Sequence, residues 1–183
     1  LILVKLIFML LLIKNSMRKN VTEYLDITEG LYSEKIAVED ANGCITFGEM
    51  KRNALKIAEF CVEQNIFKQP VCVYLPKSKE MVTSFVGTNY SGNFYVPLDI
   101  KSPDTRIRNI LATLNPGLII TDEEHKDQVE NFGLPTVTVG CPCSPKEAEL
   151  SVVESARSRQ IDTDPVYSIF TSGSTGIPKG VVI

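Results

Sequence analysis

Apolar and polar positions fall in blocks along this chain, and the period of each block predicts its element. Residues 36–38 and 44–47 are β-prone runs on either side of a turn at Asn42 and Gly43, which predicts a hairpin. From Phe47 the period changes. Phe47, Met50, Ala54, Leu55, Ala58, Cys61 and Val62 share one helical face, with Lys51, Arg52, Lys56, Glu59 and Glu63 outside it. Thr46 and Glu49 form a capping box at the start of that helix. Residues 71–75 are a continuous apolar run, the pattern of a strand buried on both faces, and Pro76 ends it.

The alternation continues. Ser78 is placed to cap a second helix with an inward stripe of Met81, Val82, Phe85, Val86 and Asn89, and residues 94–98 return to strand. Ser102 is expected to cap a third helix, with Pro103 at its first position and Asp104 in its first turn. Ile107, Ile110, Leu111 and Leu114 keep helical spacing until Asn115, Pro116 and Gly117 stop it. Residues 118–121 read as strand, 123–131 as a weakly patterned polar helix and 136–139 as the closing strand. Strands alternating with helices predict an α/β fold, a largely parallel sheet flanked by helices and joined by right-handed crossovers. Residues 140–164 turn to Pro, Ser and charge without a strong period, a surface connection with a helical tendency at 147–155.

That connection delivers the chain to its most informative stretch. A β-rich run at 167–171 leads into a loop of small polar residues with one lysine, and an apolar β-branched run follows at 181–183. Such a loop is built to cradle phosphate. Glycines at 173, 176 and 180 allow positive φ and let backbone amides approach an anion. The hydroxyls of Thr171, Ser172, Ser174 and Thr175 can donate to phosphoryl oxygens, and Lys179 supplies a charge on a flexible stem. A Walker A loop is excluded, because Pro178 replaces its second glycine, Gly180 follows the lysine where a hydroxyl is needed, and no helix signal follows. The loop is therefore expected to join two strands. A flexible linker would seldom carry apolar strands on both sides and one placed lysine.

Composition narrows the partners. With 183 residues, 44% hydrophobic and 22% charged, the chain has ordinary globular character. A net charge of −3 with no long basic run argues against a nucleic-acid surface and for small-molecule partners. Five cysteines, odd in number and mostly within apolar patterns, read as reduced cytosolic thiols. Cys141 and Cys143 have no second pair, and the single histidine, His125, lies in an acidic segment that predicts a solvated side chain, so no metal site is assigned. Residues 1–13 are apolar apart from Lys5 and shorter than the roughly 20 residues of an ordinary membrane span. Residues 1–16 read as upstream sequence ahead of Met17, Arg18 and Lys19, with a membrane anchor as the alternative; no stable membrane association is expected.

From Phe170 through Val181 the loop resembles the phosphate-loop signature of the adenylate-forming (AMP-dependent synthetase/ligase) superfamily. Gly92, Tyr95, Val96, Pro97, Leu98, Asp99, Pro103, Arg106, Ile110 and Leu111 resemble a second core motif, in the form found in adenylation domains of nonribosomal peptide synthetases and D-alanyl carrier protein ligases. The first core motif is degraded, with Asn89, Tyr90, Ser91 and Asn93 standing where small apolar residues and glycine are more usual.

The resemblance implies that residues 17–183 are the truncated N-terminal part of an AMP-binding adenylation domain. It implies ATP-dependent activation of a carboxylate, an amino acid, as an acyl-adenylate with release of pyrophosphate, then transfer to the phosphopantetheine thiol of a carrier protein. Thr171, Ser172, Gly173, Ser174, Thr175, Gly176 and Lys179 would bind the β- and γ-phosphates, with Lys179 as the catalytic charge-neutralising group. Mg²⁺ is implied with its ligand elsewhere, the fragment alone is expected to be inactive, and the enzyme is expected in the cytoplasm. A fatty or aryl acyl-CoA ligase is the alternative within the chemistry, and a noncatalytic nucleotide-binding or interaction module is the alternative outside it.

Overall fold

The computed structural model describes residues 20–140, 150–171 and 178–183. Residues 1–16, Cys141 and Cys143 lie outside them. The elements in chain order are α1 (Thr22–Tyr32), β1 (Ile36–Asp40), β2 (Gly43–Thr46), α2 (Phe47–Glu63), β3 (Pro70–Tyr74), α3 (Lys79–Tyr90), β4 (Phe94–Leu98), α4 (Asp104–Leu114), β5 (Leu118–Thr121), α5 (Lys126–Glu130), β6 (Thr136–Thr138), α6 (Leu150–Arg157), β7 (Ser168–Thr171) and β8 (Lys179–Val182).

The predicted α/β architecture is present. β3 to β6 make a parallel four-stranded sheet in the order β4-β3-β5-β6, so the chain adds β4 on one side of β3 and then crosses over to build β5 and β6 on the other. The continuous apolar runs become its centre. Val71, Cys72, Val73, Tyr74, Leu118, Ile119 and Ile120 are almost wholly buried. One face packs on α4, through Ile107, Ile110 and Leu111, and the other on α2, through Ile57 and Cys61.

β1 and β2 form the expected antiparallel hairpin. The capping box is present as well: Thr46 Oγ1 accepts from Glu49 N–H at 3.2 Å, while the Glu49 carboxylate accepts from Thr46 N–H at 2.9 Å. Ser78 Oγ likewise accepts from Met81 N–H at 3.2 Å at the start of α3.

Four details differ from the sequence reading. Ser102 does not cap α4. Pro103 occupies the N-cap with no side-chain cap bond, and the Ser102 N–H closes a turn on the Asp99 carbonyl at 2.9 Å. In α3 the expected stripe of Met81, Val82, Phe85 and Val86 is only half-buried, whereas Thr83, Ser84, Gly87 and Thr88 are buried with Asn89 and Tyr90. Small side chains win that face because α2 lies so close: a Cβ on Gly87 would sit 2.7 Å from the Ala54 carbonyl oxygen. The three hydroxyls remain satisfied there by donating to carbonyls one turn back, Thr83 to Lys79, Ser84 to Glu80 and Thr88 to Ser84.

His125 is the third difference. It is part-buried and partnered rather than freely solvated: its Nδ1 lies 2.6 Å from Asp122 Oδ1, and its ring meets Tyr74 edge-on at 5.7 Å. α1 is the fourth, a helix that the pattern does not announce, because Leu25 is its one large apolar residue in the core while Tyr24, Ile27, Leu31 and Tyr32 are exposed.

Charge fastens α1 to the rest. Asp26 accepts from the Tyr90 hydroxyl at 2.7 Å, pairs with Lys51 at 3.1 Å and pairs with Arg157 at 2.5 Å, joining α1, α3, α2 and α6. Burial pushes the Asp26 carboxyl up, but the Tyr90 hydroxyl, Lys51 and Arg157 together hold it below its ordinary value. A depressed carboxyl stabilises the fold above its unfolded value of about 3.9 and loses that contribution as pH falls through the folded value. Asp26→Asn is therefore expected to cost about 1–3 kcal/mol at neutral pH. In urea titrations the gap to the parent should close as pH drops below about 4.

Candidate functional site

β7 and β8 pair antiparallel, Ser168 with Val182, Ile169 with Val181, Phe170 with Gly180 and Thr171 with Lys179. The polar loop therefore joins two strands, as its residue types predict, and Lys179 opens a strand. Of the expected phosphate-binding residues, Thr171 and Lys179 face each other at the mouth of this hairpin, both exposed. Ser172, Gly173, Ser174, Thr175 and Gly176 lie outside the described residues. The Thr171 hydroxyl donates to the Lys179 carbonyl at 3.5 Å, a long bond that an incoming anion can replace. Pro178, just before β8, is buried.

Gly180 serves differently from its expected role. It is a strand residue outside the positive-φ set, and it leaves room for a ring: a Cβ there would lie 3.0 Å from Phe170 Cζ. Phe170 uses that space to pack against the core cluster that contains Leu98, Ile107 and Ile119.

The hairpin is attached beside β4. Tyr95 and Tyr167 form a parallel bridge, so β7 runs in the direction of β4 and its loop emerges at the carboxyl ends of the parallel strands. That end is where open α/β sheets bind ligands, although the hairpin extends the β4 side and does not sit at the crossover point by β3. The turn after β4 faces the same end. There Asp99 Oδ1 accepts from the Lys101 N–H at 3.0 Å.

The residues that depart from the family pattern, Asn89, Tyr90, Ser91 and Asn93, build a support that pattern reading missed. The Asn93 Oδ1 accepts from Gln69 N–H at 3.0 Å, and its Nδ2 donates to the Ile66 carbonyl at 3.1 Å and to Ser91 Oγ at 2.8 Å. Ser91 in turn donates to the Thr88 carbonyl at 2.6 Å. With its nitrogen turned toward the two carbonyls, the Asn89 amide donates to Asn93 at 3.2 Å and to Val166 at 3.0 Å. Its backbone carbonyl accepts from Gln160 at 2.8 Å. The signal was available: four polar or aromatic residues in one short segment that must also enter a buried strand.

Cys61 and Cys72 are free and buried, and burial pushes the Cys61 thiol up to about 12, so neither is a nucleophile. A cavity of about 650 Å³ lies on the opposite side of the sheet order, lined by Ile45, Arg52, Ile57, Thr83 and Val137, and shares no residue with the hairpin. Among the described residues no group of three His, Cys, Asp or Glu side chains is placed to hold a metal.

Residues 28–183 match the AMP-binding enzyme family. The chain belongs to it. This AMP-binding chain is 34% identical over 140 residues to the D-alanine–D-alanyl carrier protein ligase of Streptococcus pyogenes serotype M5, covering 75% of this chain and 26% of the ligase. It is 28% identical over 160 residues to nonribosomal peptide synthetase 32 of Fusarium pseudograminearum, covering 86% of this chain and 2% of the synthetase. The chain thus spans about a quarter of the ligase's length and a small part of the synthetase's.

Solved structures share the AMP-binding fold. VinN superposes with a TM-score of 0.69 at 24% identity, over 88% of this chain and 42% of its own. O-succinylbenzoate Coenzyme A synthetase (MenE) from Bacillus subtilis, in complex with AMP, superposes at 0.66 with 20% identity, over 90% of this chain and 42% of its own.

Proposed function

We propose that the protein is an AMP-forming ligase that activates a carboxylate, an amino acid, with ATP. The observation that carries this reading is the Thr171–Lys179 pair at the mouth of a strand-to-strand loop, at the carboxyl end of the sheet, in a chain of the AMP-binding enzyme family. A carboxylate oxygen attacks the α-phosphorus, the bond to the β-phosphate oxygen breaks, and pyrophosphate leaves with the electron pair. An acyl-adenylate remains. A phosphopantetheine thiol on a carrier protein then attacks the acyl carbon, loses its proton and expels AMP, leaving a thioester.

Lys179 acts where charge develops on the departing pyrophosphate, and the hydroxyls and amides of residues 171–176 orient the β- and γ-phosphates. Mg²⁺ would accompany the polyphosphate and neutralise part of its charge. No described side chain is assigned to it. The amino-acid substrate and the carrier protein are supported by relatives named as peptide synthetase and D-alanyl carrier protein ligase. The proposed setting is the cytoplasm, without stable membrane association; no described helix is long and apolar enough to cross a membrane.

The test is exchange of labelled pyrophosphate into ATP by the full-length protein, which reports reversible adenylate formation. Exchange that depends on an amino acid is the expected result. Exchange supported only by fatty or aryl acids, with CoA as acceptor, would replace the amino-acid reading with an acyl-CoA ligase. ATP binding without exchange on any carboxylate would leave a noncatalytic nucleotide-binding module.

A further inference from the structure

The hairpin that presents Thr171 and Lys179 is held to the body of the fold by a small set of groups. β8 is exposed along its whole length, and only Ser168 and Phe170 of β7 are turned inward. The backbone link to the four-stranded sheet is the parallel bridge between Tyr95 and Tyr167, where the Tyr95 N–H donates to the Val166 carbonyl at 3.3 Å. Over that bridge the side chains stack. The Phe85 and Tyr95 rings lie 4.1 Å apart at 13°, and the Tyr95 and Tyr167 rings 5.5 Å apart at 22°. A column of three rings therefore runs from α3 through β4 to the residue before β7.

We infer that Tyr95 is a positioning residue for the phosphate-binding hairpin: through its stack with Phe85 and Tyr167 it sets the tilt of β7, and with it the place of Thr171 and Lys179. Tyr95 is the middle ring, so removing it breaks both stacks. Phe170 packs under β7 and opposes movement away from the core, which leaves rotation of the strand in the plane of the sheet to the ring column. The lever is long enough to matter. Thr171 lies roughly 13 Å along the strand from Tyr167, so a tilt of about 5° moves it by about 1 Å. A displacement of about 1 Å in a positioning group can cost about 100-fold in rate. The inference rests on the hairpin being the phosphate site.

The experiment compares Tyr95→Leu, Tyr95→Phe and Tyr167→Leu in the full-length protein by pyrophosphate exchange and by hydrogen exchange of the backbone amides. Tyr95→Leu and Tyr167→Leu are expected to lower the maximal exchange rate about 10- to 100-fold with little change in the carboxylate KM. Both should speed amide exchange in β7 and β8 while leaving β3 and β5 protected. Tyr95→Phe, which keeps the ring column, should behave as the parent. Unchanged hairpin protection in both leucine variants overturns the inference, as does loosening of β3 and β5 together with the hairpin, or a phenylalanine variant as impaired as the leucine one. A parent protein without pyrophosphate exchange would sink the ligase reading alone, and the amide data would still decide whether Tyr95 positions the hairpin.

Discussion

Replacing Lys179 by Ala is expected to slow carboxylate-dependent exchange of pyrophosphate into ATP by about 100- to 1000-fold, the cost of losing one positioned group that stabilises developing charge. Lys179 stands at the first position of β8, exposed and opposite Thr171, so its ammonium is free to swing toward the loop on four methylenes. The same exposure separates activity from folding. An exposed side chain buries little, and the melting temperature of Lys179→Ala should stay close to that of the parent. Lys179→Arg should recover part of the rate, since the charge is kept but carried by a broader, planar head. Parent-like exchange in Lys179→Ala would remove Lys179 from the reaction, whatever the substrate.

That prediction depends on a part of the site that was legible in the sequence. A lysine and hydroxyls between two apolar runs specified a loop joining two strands, and the antiparallel pairing of β7 with β8, with Thr171 opposite Lys179, conforms to it; phosphate binding there remains the proposal. The parallel sheet was legible for a related reason. Strands buried on both faces must be apolar throughout, so residues 71–75 and 118–121 could hardly be anything else.

The misreadings share a different cause. Thr83, Ser84, Gly87 and Thr88 are buried because of how close another helix comes, and a one-dimensional pattern contains no helix separation. Gly180 looked like a source of backbone freedom and is instead the space for the Phe170 ring across the hairpin. His125 sits among acidic residues in sequence, yet one of them, Asp122, pairs with its ring nitrogen, and the Tyr74 ring meets it edge-on. Each depends on a partner that is distant in the chain or set by a turn.

Asn93 shows where such a distant partnership carries stability, and Asn93→Leu is expected to destabilise the protein by about 3 kcal/mol. The leucine keeps the branched shape and the number of heavy atoms, though it is bulkier, and adds apolar surface, so a purely hydrophobic ledger would predict little change or a gain. The hydrogen bonds decide otherwise. Asn93 is 2% exposed, and its amide serves the Gln69 N–H, the Ile66 carbonyl and the Ser91 hydroxyl. Each partner left unsatisfied away from water costs about 1–3 kcal/mol, less where solvent can reach it, as near the exposed Gln69.

The damage should reach the site as well. The Asn93 carbonyl accepts from the Asn89 amide, which also holds Val166, the residue whose carbonyl receives the Tyr95 N–H. Urea denaturation should give the lower midpoint, and amide exchange should show the loss spreading from the turn before β4 to the base of β7. Asn93→Gly, which removes the side chain without adding apolar surface, should not rescue stability, because Ser91, Gln69 and Ile66 would still lack their partner. A glycine variant as stable as the parent would mean that water satisfies these groups and that the asparagine network adds nothing.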